Sequence, residues 1–427
     1  MKGKGQAEPW KYGSLLNHLH RAPARSASLL TAMKILRILN RLIIGGPLLN
    51  AAYLSKYMDP EFETLLVVGQ KEDHEKDAGF LTGELGIQPL YLPEMGRSIN
   101  PLRDLKAYRK LKKIIADFKP DIVHTHAAKP GALGRLAASA MGVPVIVHTY
   151  HGHVFHSYFG KWKTGLIIRA ERYLATRSTG IVAISELQRD ELVNRFHIAP
   201  AEKMRVIPLG LDLNRFRDNQ PAKRKQFRDA YNLQEDEVVI SIIGRLVPVK
   251  NHALFLQGIS HVLKNSSKKI RAFIVGDGET RQALEEQARQ LGIPFSTEKS
   301  SSHPHPLVFT SWRQDIDVIN AGSDIIALSS FNEGTPVSLI EAQAAGRPIV
   351  STRVGGIGDI IREGETALLS GVHDTTGFCS NLLRLVEDDA LRMEMGGKGT
   401  AHVMEKFSYQ RLVNDMADYY RELAGKR

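Results

Sequence analysis

Residues 324–356 read DIIALSSFNEGTPVSLIEAQAAGRPIVSTRVGG, and the fold follows from how that stretch divides. Ile325 to Leu328 are apolar without alternation, the pattern of a strand covered on both faces, and Ile349 to Thr352 repeat it. Between them a helix is predicted, with Thr335 as N-cap, Pro336 at the first helical position, and Gly346 followed by Pro348 marking its end. Strand, helix and strand in that order make one crossover of a parallel sheet. The helix start leaves backbone N–H groups unpaired and carries partial positive charge, so the amides of Val337, Ser338 and Leu339 suit an anion such as a phosphate. Glu333 lies in the loop before the cap and Glu341 more than a turn inside the helix, so the two carboxylates address different parts of one ligand. For an isolated pair at this spacing, a solvated Glu333 and a Glu341 that only answers the helix dipole would be the simpler reading.

Outward from this unit the same alternation recurs. Val238 to Ile243 is predicted as a strand, and GRLVPVKN follows it, with Gly244 giving room and Arg245 and Lys250 placing two cations suited to a pyrophosphate at the mouth of a helix. Phe273 to Val275 runs into Gly276-Asp277-Gly278, which lacks the third glycine of a dinucleotide fingerprint and is weak support for NAD. Residues 296–306 form a polar insertion whose His303 and His305 are read as solvated, and Asp315-Ile316-Asp317 is read as a helix start.

In the first half, strands are expected from Met33 and at 64–68, 121–125, 144–149 and 180–184, separated by helical patterns, which signals a second doubly wound parallel sheet. Gly45-Gly46-Pro47 after the first strand is a turn where backbone can approach a ligand closely. The helix 102–118 is expected to bury Leu102, Leu105, Tyr108, Leu111, Ile115 and Phe118 and to leave a basic face in solvent. His124, His126, His148, His151, His153 and His156 fall at or beyond two strand ends, where ligands of open α/β sheets bind, and are read as a cleft wall that hydrogen-bonds a polar ligand. H-x-H and H-x-x-H in loops are weak support for a metal. Val206 to Asp212 is read as a last strand leading into a hinge, with a charged, strandless stretch following to Asn232. Leu412, Met416, Tyr419, Tyr420 and Leu423 mark a final helix able to cap either half.

The 427 residues suffice for two cores, and 43% hydrophobic with 24% charged residues is a globular composition. The single cysteine, Cys379, excludes an internal disulfide, and Lys34, Arg37 and Arg41 interrupt the longest apolar run, so it does not span a membrane as one helix. Residues 1–31 lack periodicity and are read as a disordered basic arm, with Met33 a candidate initiator. The net charge of +11 is confined to residues 1–212, which hold 30 Lys+Arg against 19 Asp+Glu, while 213–427 hold 27 against 27. No basic run is interleaved with aromatics, so the charge points to an anionic membrane surface before nucleic acid.

Taken in order, Gly45-Gly46, the DIVHTH and HTYHG segments, PLGLD, Arg245 with Lys250, VGDGE, VFTSWRQDI, and Glu333 with Glu341 resemble the retaining glycosyltransferases of family 4 from about Met33 to Leu423. The resemblance implies an α/β chain of the GT-B fold, two Rossmann-like domains facing a cleft. A basic arm over 1–32 would precede an acceptor-side domain over 33–212 and a nucleotide-sugar domain over 213–408, with 409–427 crossing back. It implies that Arg245 and Lys250 bind the donor diphosphate with the amides of Val337 and Ser338, the Gly45-Gly46 loop and Gly244. Glu341 would accept hydrogen bonds from the ribose. Glu333, Gly334 and Thr335 would face the donor sugar, His151 would touch it from the first domain, and the base would rest near Thr310 to Arg313, including Trp312. Ser311 stands where the family often has glycine. The implied activity is metal-independent transfer, without a cofactor, from a nucleotide-sugar to a glycan or lipid-linked acceptor, by a cytoplasmic protein peripheral on the inner face of the membrane. Asp315-Ile316-Asp317 is similar to the metal-chelating D-x-D of another glycosyltransferase class, a tripeptide common by chance. Sugar-nucleotide 2-epimerases share a GT-B-like fold and differ in needing no acceptor, and a non-catalytic membrane-surface module would turn over no donor.

Overall fold

The two apolar runs that flank the predicted crossover are neighbouring strands in the computed structural model, paired in parallel from Ile326 with Ile349 to Leu328 with Ser351. The structure describes residues 32–43, 45–71, 78–96, 98–152, 161–297 and 305–426. His153, His156, His303 and the arm over 1–31 lie outside the described residues.

The first lobe runs β1 Met33–Leu39, α1 Gly46–Tyr57, β2 Phe62–Gly69, α2 Gly79–Glu84, β3 Leu90–Leu92, α3 Pro101–Phe118, β4 Ile122–His126, α4 Ala128–Ala140, β5 Val145–Tyr150, α5 Lys161–Thr176, β6 Gly180–Ala183, α6 Glu186–Asp190 and β7 Met204–Val206. Its seven parallel strands lie in the order β3-β2-β1-β4-β5-β6-β7. The second lobe runs α7 Asn214–Arg217, α8 Gln220–Ala230, β8 Glu237–Ile243, α9 His252–Asn265, β9 Lys269–Val275, α10 Arg281–Gln290, β10 Phe295–Ser296, β11 Leu307–Ser311, α11 Ile316–Gly322, β12 Ile325–Leu328, α12 Val337–Ala344, β13 Ile349–Thr352, β14 Ala367–Ser370, α13 Thr375–Glu387 and α14 Asp389–Phe407. Its seven strands are also parallel, in the order β10-β11-β9-β8-β12-β13-β14. The lobes form one unit from Met33 onward.

Alternate residues of the second sheet enter opposite cores. Val239, Phe273, Val308 and Ile326 pack on one face, and Ile240, Ile274, Phe309 and Ala327 on the other. That double burial is why those strands read as unbroken apolar runs. The last helix, α15 Tyr409–Gly425, returns to the first lobe, where Leu412, Met416, Ala417, Tyr419, Tyr420 and Leu423 join Ile35, Ile122, Val147 and Val182 in one core. Gross burial of that face is worth on the order of 10 kcal/mol before entropy is subtracted.

Three expectations are corrected. The N-cap of α12 is Pro336, extended at φ −72° and ψ 103°, so the helix begins at Val337. With an extended ψ, Pro336 is not the first helical residue and takes the flanking cap position itself, which displaces Thr335 from it. In α3, Leu111, Ile115 and Phe118 are buried as expected, but Leu102 is 76% and Leu105 45% exposed, because the first turns of the helix project past the core. The stretch 213–232 is strandless as expected and holds α7 and α8, whose buried faces are too short to show a period. The strand expected over 206–212 ends at Val206. From there the chain crosses to the second lobe, and a single bridge joins Leu211 to Ser408 just before α15.

Candidate functional site

In both sheets, the loops that follow the carboxyl ends of the strands carry Gly45, His151, Gly244, Arg245, Trp312, Arg313, Glu333, Gly334 and Thr335 of the residues singled out from the sequence. They face one interlobe cleft, and α6, which follows β6, touches the turn Gly355–Asp359 that follows β13.

At the centre, Glu333 sits on the loop between β12 and α12, and its position is dictated by glycines. A Cβ on Gly355, where φ is +49°, would come within 1.9 Å of the Glu333 carbonyl oxygen, and one on Gly356 within 2.1 Å of the Gly334 carbonyl oxygen. Only bare backbone permits that contact. Lys250 Nζ donates to Glu333 Oε1 at 2.6 Å, and Ser330 Oγ donates to the same oxygen at 2.5 Å. Ser329 Oγ donates to the carbonyls of Lys250 and Asn251, and Phe331 N–H to that of Val249, so the two loops are clamped together. The expectation of two cations waiting for a diphosphate is therefore modified. Arg245 is exposed beside Gly244, while Lys250 already holds the glutamate. A lysine ammonium carries three donors, so the Glu333 bond leaves it able to meet an anion. The amide of Leu339 bonds the Pro336 carbonyl, which takes it from the anion-binding group and leaves Val337 and Ser338 as its candidates.

Glu341, one turn into α12, is crowded by protein while part of the residue stays accessible, and burial pushes its carboxyl up to about 8. The Arg215 guanidinium opposes that rise and Asp317 adds to it. Arg215 itself bonds Asp317 at 2.9 Å, and Lys223 lies 3.0 Å from the other Asp317 oxygen. Asp317 is in the first turn of α11, as the helix-start reading required. Arg215 was missed in the sequence because nothing in LDLNRF marks one arginine as facing a glutamate 126 positions later. Tyr53 on α1 is pushed up to about 12, mainly by burial and then by Asp212, and also feels Arg215. The helix opened by Gly45-Gly46 thus ends up against the same charged group. Gly46 is there for packing: a Cβ would stand 3.1 Å from Leu209.

On the far side, Ser311 adopts φ +60°, a left-handed conformation that explains why glycine is frequent there in the family it resembles. Its hydroxyl donates to Asp277 Oδ2 at 2.7 Å. Trp312 is half exposed, and Arg313 is held by Asp315 at 2.7 Å and by the Tyr231 hydroxyl at 2.8 Å. Gly276 and Gly278 serve a close backbone approach: added Cβ atoms would strike the carbonyl oxygens of Gly244 and Leu246.

The histidine wall is corrected. His124, His126 and His148 are fully buried, and burial holds all three well below the ordinary imidazole range. His148 bonds Thr125 at 2.9 Å and stacks edge-on with Tyr150, while His124 bonds Thr149, Tyr420 and Arg37. His151 alone of the described four keeps partial exposure; it bonds His126 at 2.9 Å and is pulled down to about 3 by burial.

Comparison with known proteins agrees with this arrangement. Residues 223–402 match Glycosyl transferases group 1, and residues 52–215 match Glycosyltransferase Family 4. The chain is 29% identical, over 82% of its length and 88% of the relative's, to the UDP-Gal:alpha-D-GlcNAc-diphosphoundecaprenol alpha-1,3-galactosyltransferase of Escherichia coli. It is 30% identical to the D-inositol 3-phosphate glycosyltransferase of Rhodococcus opacus, over 70% of this chain and 67% of the relative. Its fold superimposes on that of the Anabaena protein HepE in complex with UDP with a TM-score of 0.75, at 19% identity, covering 91% of this chain and all of the other. Two parallel sheets with their carboxyl edges on one cleft, and both halves matched by sequence, place this chain in the GT-B glycosyltransferases of group 1 and family 4.

Proposed function

We propose that this protein moves a sugar from a nucleotide-sugar to a hydroxyl of a lipid-linked or glycan acceptor in cell-surface polysaccharide or glycolipid assembly, with retention of configuration and without a divalent metal. The observation that carries the reading is the clamp of Lys250, Glu333 and Ser330 between Arg245 and the start of α12. Breaking the anomeric C–O bond leaves negative charge on the diphosphate. Arg245, Lys250 and the amides of Val337 and Ser338 would stabilise that charge more in the transition state than in the bound donor. Glu333 holds Lys250 in place and faces the donor sugar with Gly334 and Thr335, and His151 meets the sugar from the first lobe. Glu341 takes the ribose hydroxyls, and Trp312 with Arg313 borders the base. The acceptor proton passes to the departing phosphate oxygen as the new bond forms on the face being vacated.

The metal-free reading is supported by Asp317 and Asp315, whose carboxylates are already neutralised by Arg215, Lys223 and Arg313. The acceptor class is supported by the Escherichia coli relative, whose name gives a diphosphoundecaprenol-linked acceptor. A lipid-linked acceptor calls for a protein peripheral on the inner, cytoplasmic face of a membrane. No helix among the described residues is long and apolar enough to cross one. Instead Ile99, 88% exposed, continues into the exposed Leu102 and Leu105 beside Arg103, Lys106 and Arg109. Exposed Trp162 and Leu166 of α5 lie in the same helical layer, since α4 touches both α3 and α5. An apolar ridge with a basic flank suits an anionic bilayer.

The test is nucleotide release over a panel of UDP-, GDP- and ADP-sugars, with and without acceptor, repeated in excess chelator, with the product anomer read by NMR. One donor turned over only with acceptor, unaffected by chelator and with its anomer kept, is expected. Loss of turnover in chelator restored by magnesium or manganese refutes the metal-free mechanism, and an inverted anomer refutes retention.

A further inference from the structure

Arg37 and Arg135 are the largest side chains without solvent exposure among the described residues; Arg135 pairs with Glu171, whereas the partners of Arg37 among the described residues include no carboxylate. Its place follows from strand alternation: Ile35 faces the core under α15, so Arg37, two residues on, faces it too, and the same count puts His124, His126 and Thr149 on that face. A buried guanidinium without an anion is costly, so its charge depends on the neutral acceptors around it. Arg37 Nη1 lies 2.9 Å from His124 Nδ1, 3.5 Å from His126 Nε2 and 3.3 Å from the Tyr420 hydroxyl, and Nη2 reaches Met58 Sδ.

A guanidinium donates only. His124 Nδ1 must therefore accept, its proton sits on Nε2, and Nε2–H donates to Thr149 Oγ1 at 2.7 Å. A proton on His126 Nε2 would point at the same cationic donors, so that nitrogen keeps its lone pair and the proton of the neutral ring sits on Nδ1. His126 Nδ1 faces His151 Nε2 at 2.9 Å, so it donates and His151 Nε2 accepts. The remaining proton of His151 is then on Nδ1, which is buried and has no partner among the described residues.

We propose that Arg37, acting through His126, fixes His151 in the tautomer that offers Nδ1–H as a hydrogen-bond donor to an oxygen of the donor sugar. The inference rests on the reading of His151 as the first lobe's sugar contact. Arg37 and His126 are positioning residues: neither touches substrate, and a one-charge device three residues deep settles which kind of group His151 presents. Without the guanidinium the two rings can reverse together, His151 then donating inward from Nε2 and showing the sugar a lone pair, to which a sugar hydroxyl has to donate where it had accepted, and to which a ring or glycosidic oxygen, having no proton, cannot bond.

Nitrogen-15 NMR of the intact protein reads the tautomer directly, with the His151 signals identified by their loss in His151→Asn. A protonated Nδ1 and bare Nε2 are expected in the wild type; the reverse overturns the proposal without any further variant. In Arg37→Met, His151 is expected to lose its single tautomer and kcat to fall on the order of tenfold or more, the scale of one lost hydrogen bond, with Arg37→Lys restoring both. His126→Phe, which removes the donor to His151, gives the same readout if Arg37→Met does not fold. An unchanged tautomer in the folded variants overturns the relay. His151→Ala separates the two readings: full activity there removes His151 from the sugar site, whereas an inactive His151→Ala beside a fully active Arg37→Met refutes the relay alone.

Discussion

Glu341 gives the sharpest solution test, because its environment places its titration inside the working pH range. Burial pushes the carboxyl up to about 8, against the opposing pull of Arg215 and with the help of Asp317. A carboxylate accepts from two ribose hydroxyls, and a protonated carboxyl gives up part of that capacity to its own O–H. On the proposed ribose role of Glu341, the donor is expected to bind best to the ionised form, which appears as pH rises through the folded value. Glu341 is then mostly protonated at pH 6 and mostly ionised at pH 8.5, so the donor KM is expected to fall by roughly one to two orders of magnitude across that interval. Residual binding by the protonated form makes this an upper bound. Glu341→Gln, permanently neutral, is expected to flatten the profile at the weak-binding end, and Arg215→Met to displace it to higher pH by removing the group that favours ionisation. The assay is initial-rate measurement over donor concentration from pH 6 to 8.5, separating kcat from KM. A wild-type KM that does not change with pH, or a Glu341→Gln profile parallel to wild type, refutes the reasoning.

Lys250→Ala and Arg245→Ala are each expected to lower kcat/KM by roughly 100-fold, the scale of one contact to a developing charge, and near-normal turnover in both would dismantle the diphosphate assignment. Each Lys or Arg near an anionic bilayer contributes about 1 kcal/mol, so sedimentation with anionic vesicles should weaken as salt rises and in a Leu102→Asp, Leu105→Asp double variant. Equal sedimentation with neutral vesicles would discard the membrane reading. Removing residues 1–32 is expected to leave circular dichroism and activity intact, because β1 starts at Met33, whose amide bonds the Glu61 carbonyl at 3.1 Å; loss of soluble protein would show the arm to be structural.

The amino-acid sequence by itself determined the parallel-sheet architecture, because strands buried on both faces must be apolar throughout and the helices between them carry local stop signals such as Gly346 and Pro348. It also singled out Glu333, Arg245 and Lys250 as candidates, since the segments after parallel strands are where backbone and polar side chains are free to meet a ligand, and Glu341 on the helix that follows. Short elements stayed hidden. β10 is Phe295–Ser296 and α7 is Asn214–Arg217, and neither completes a period that a pattern could reveal. What tertiary structure alone decided is which polar groups share a space. Lys250 binds Glu333 across 83 positions, Arg215 faces Asp317 across 102, and Arg37 reaches Tyr420 across 383. The histidines show the same divide from the other side. As residues at or beyond strand ends they all read as ligand contacts, yet His124 and His126 lie buried in β4, His124 against Tyr420 of the returning α15, and only the register of β1, β4 and β5 shows that an arginine stands beside them. Local chemistry sets which face a side chain takes. What covers that face depends on chain segments hundreds of residues away, and burial is what turns an imidazole that reads as a ligand contact into a hydrogen-bonded part of the core.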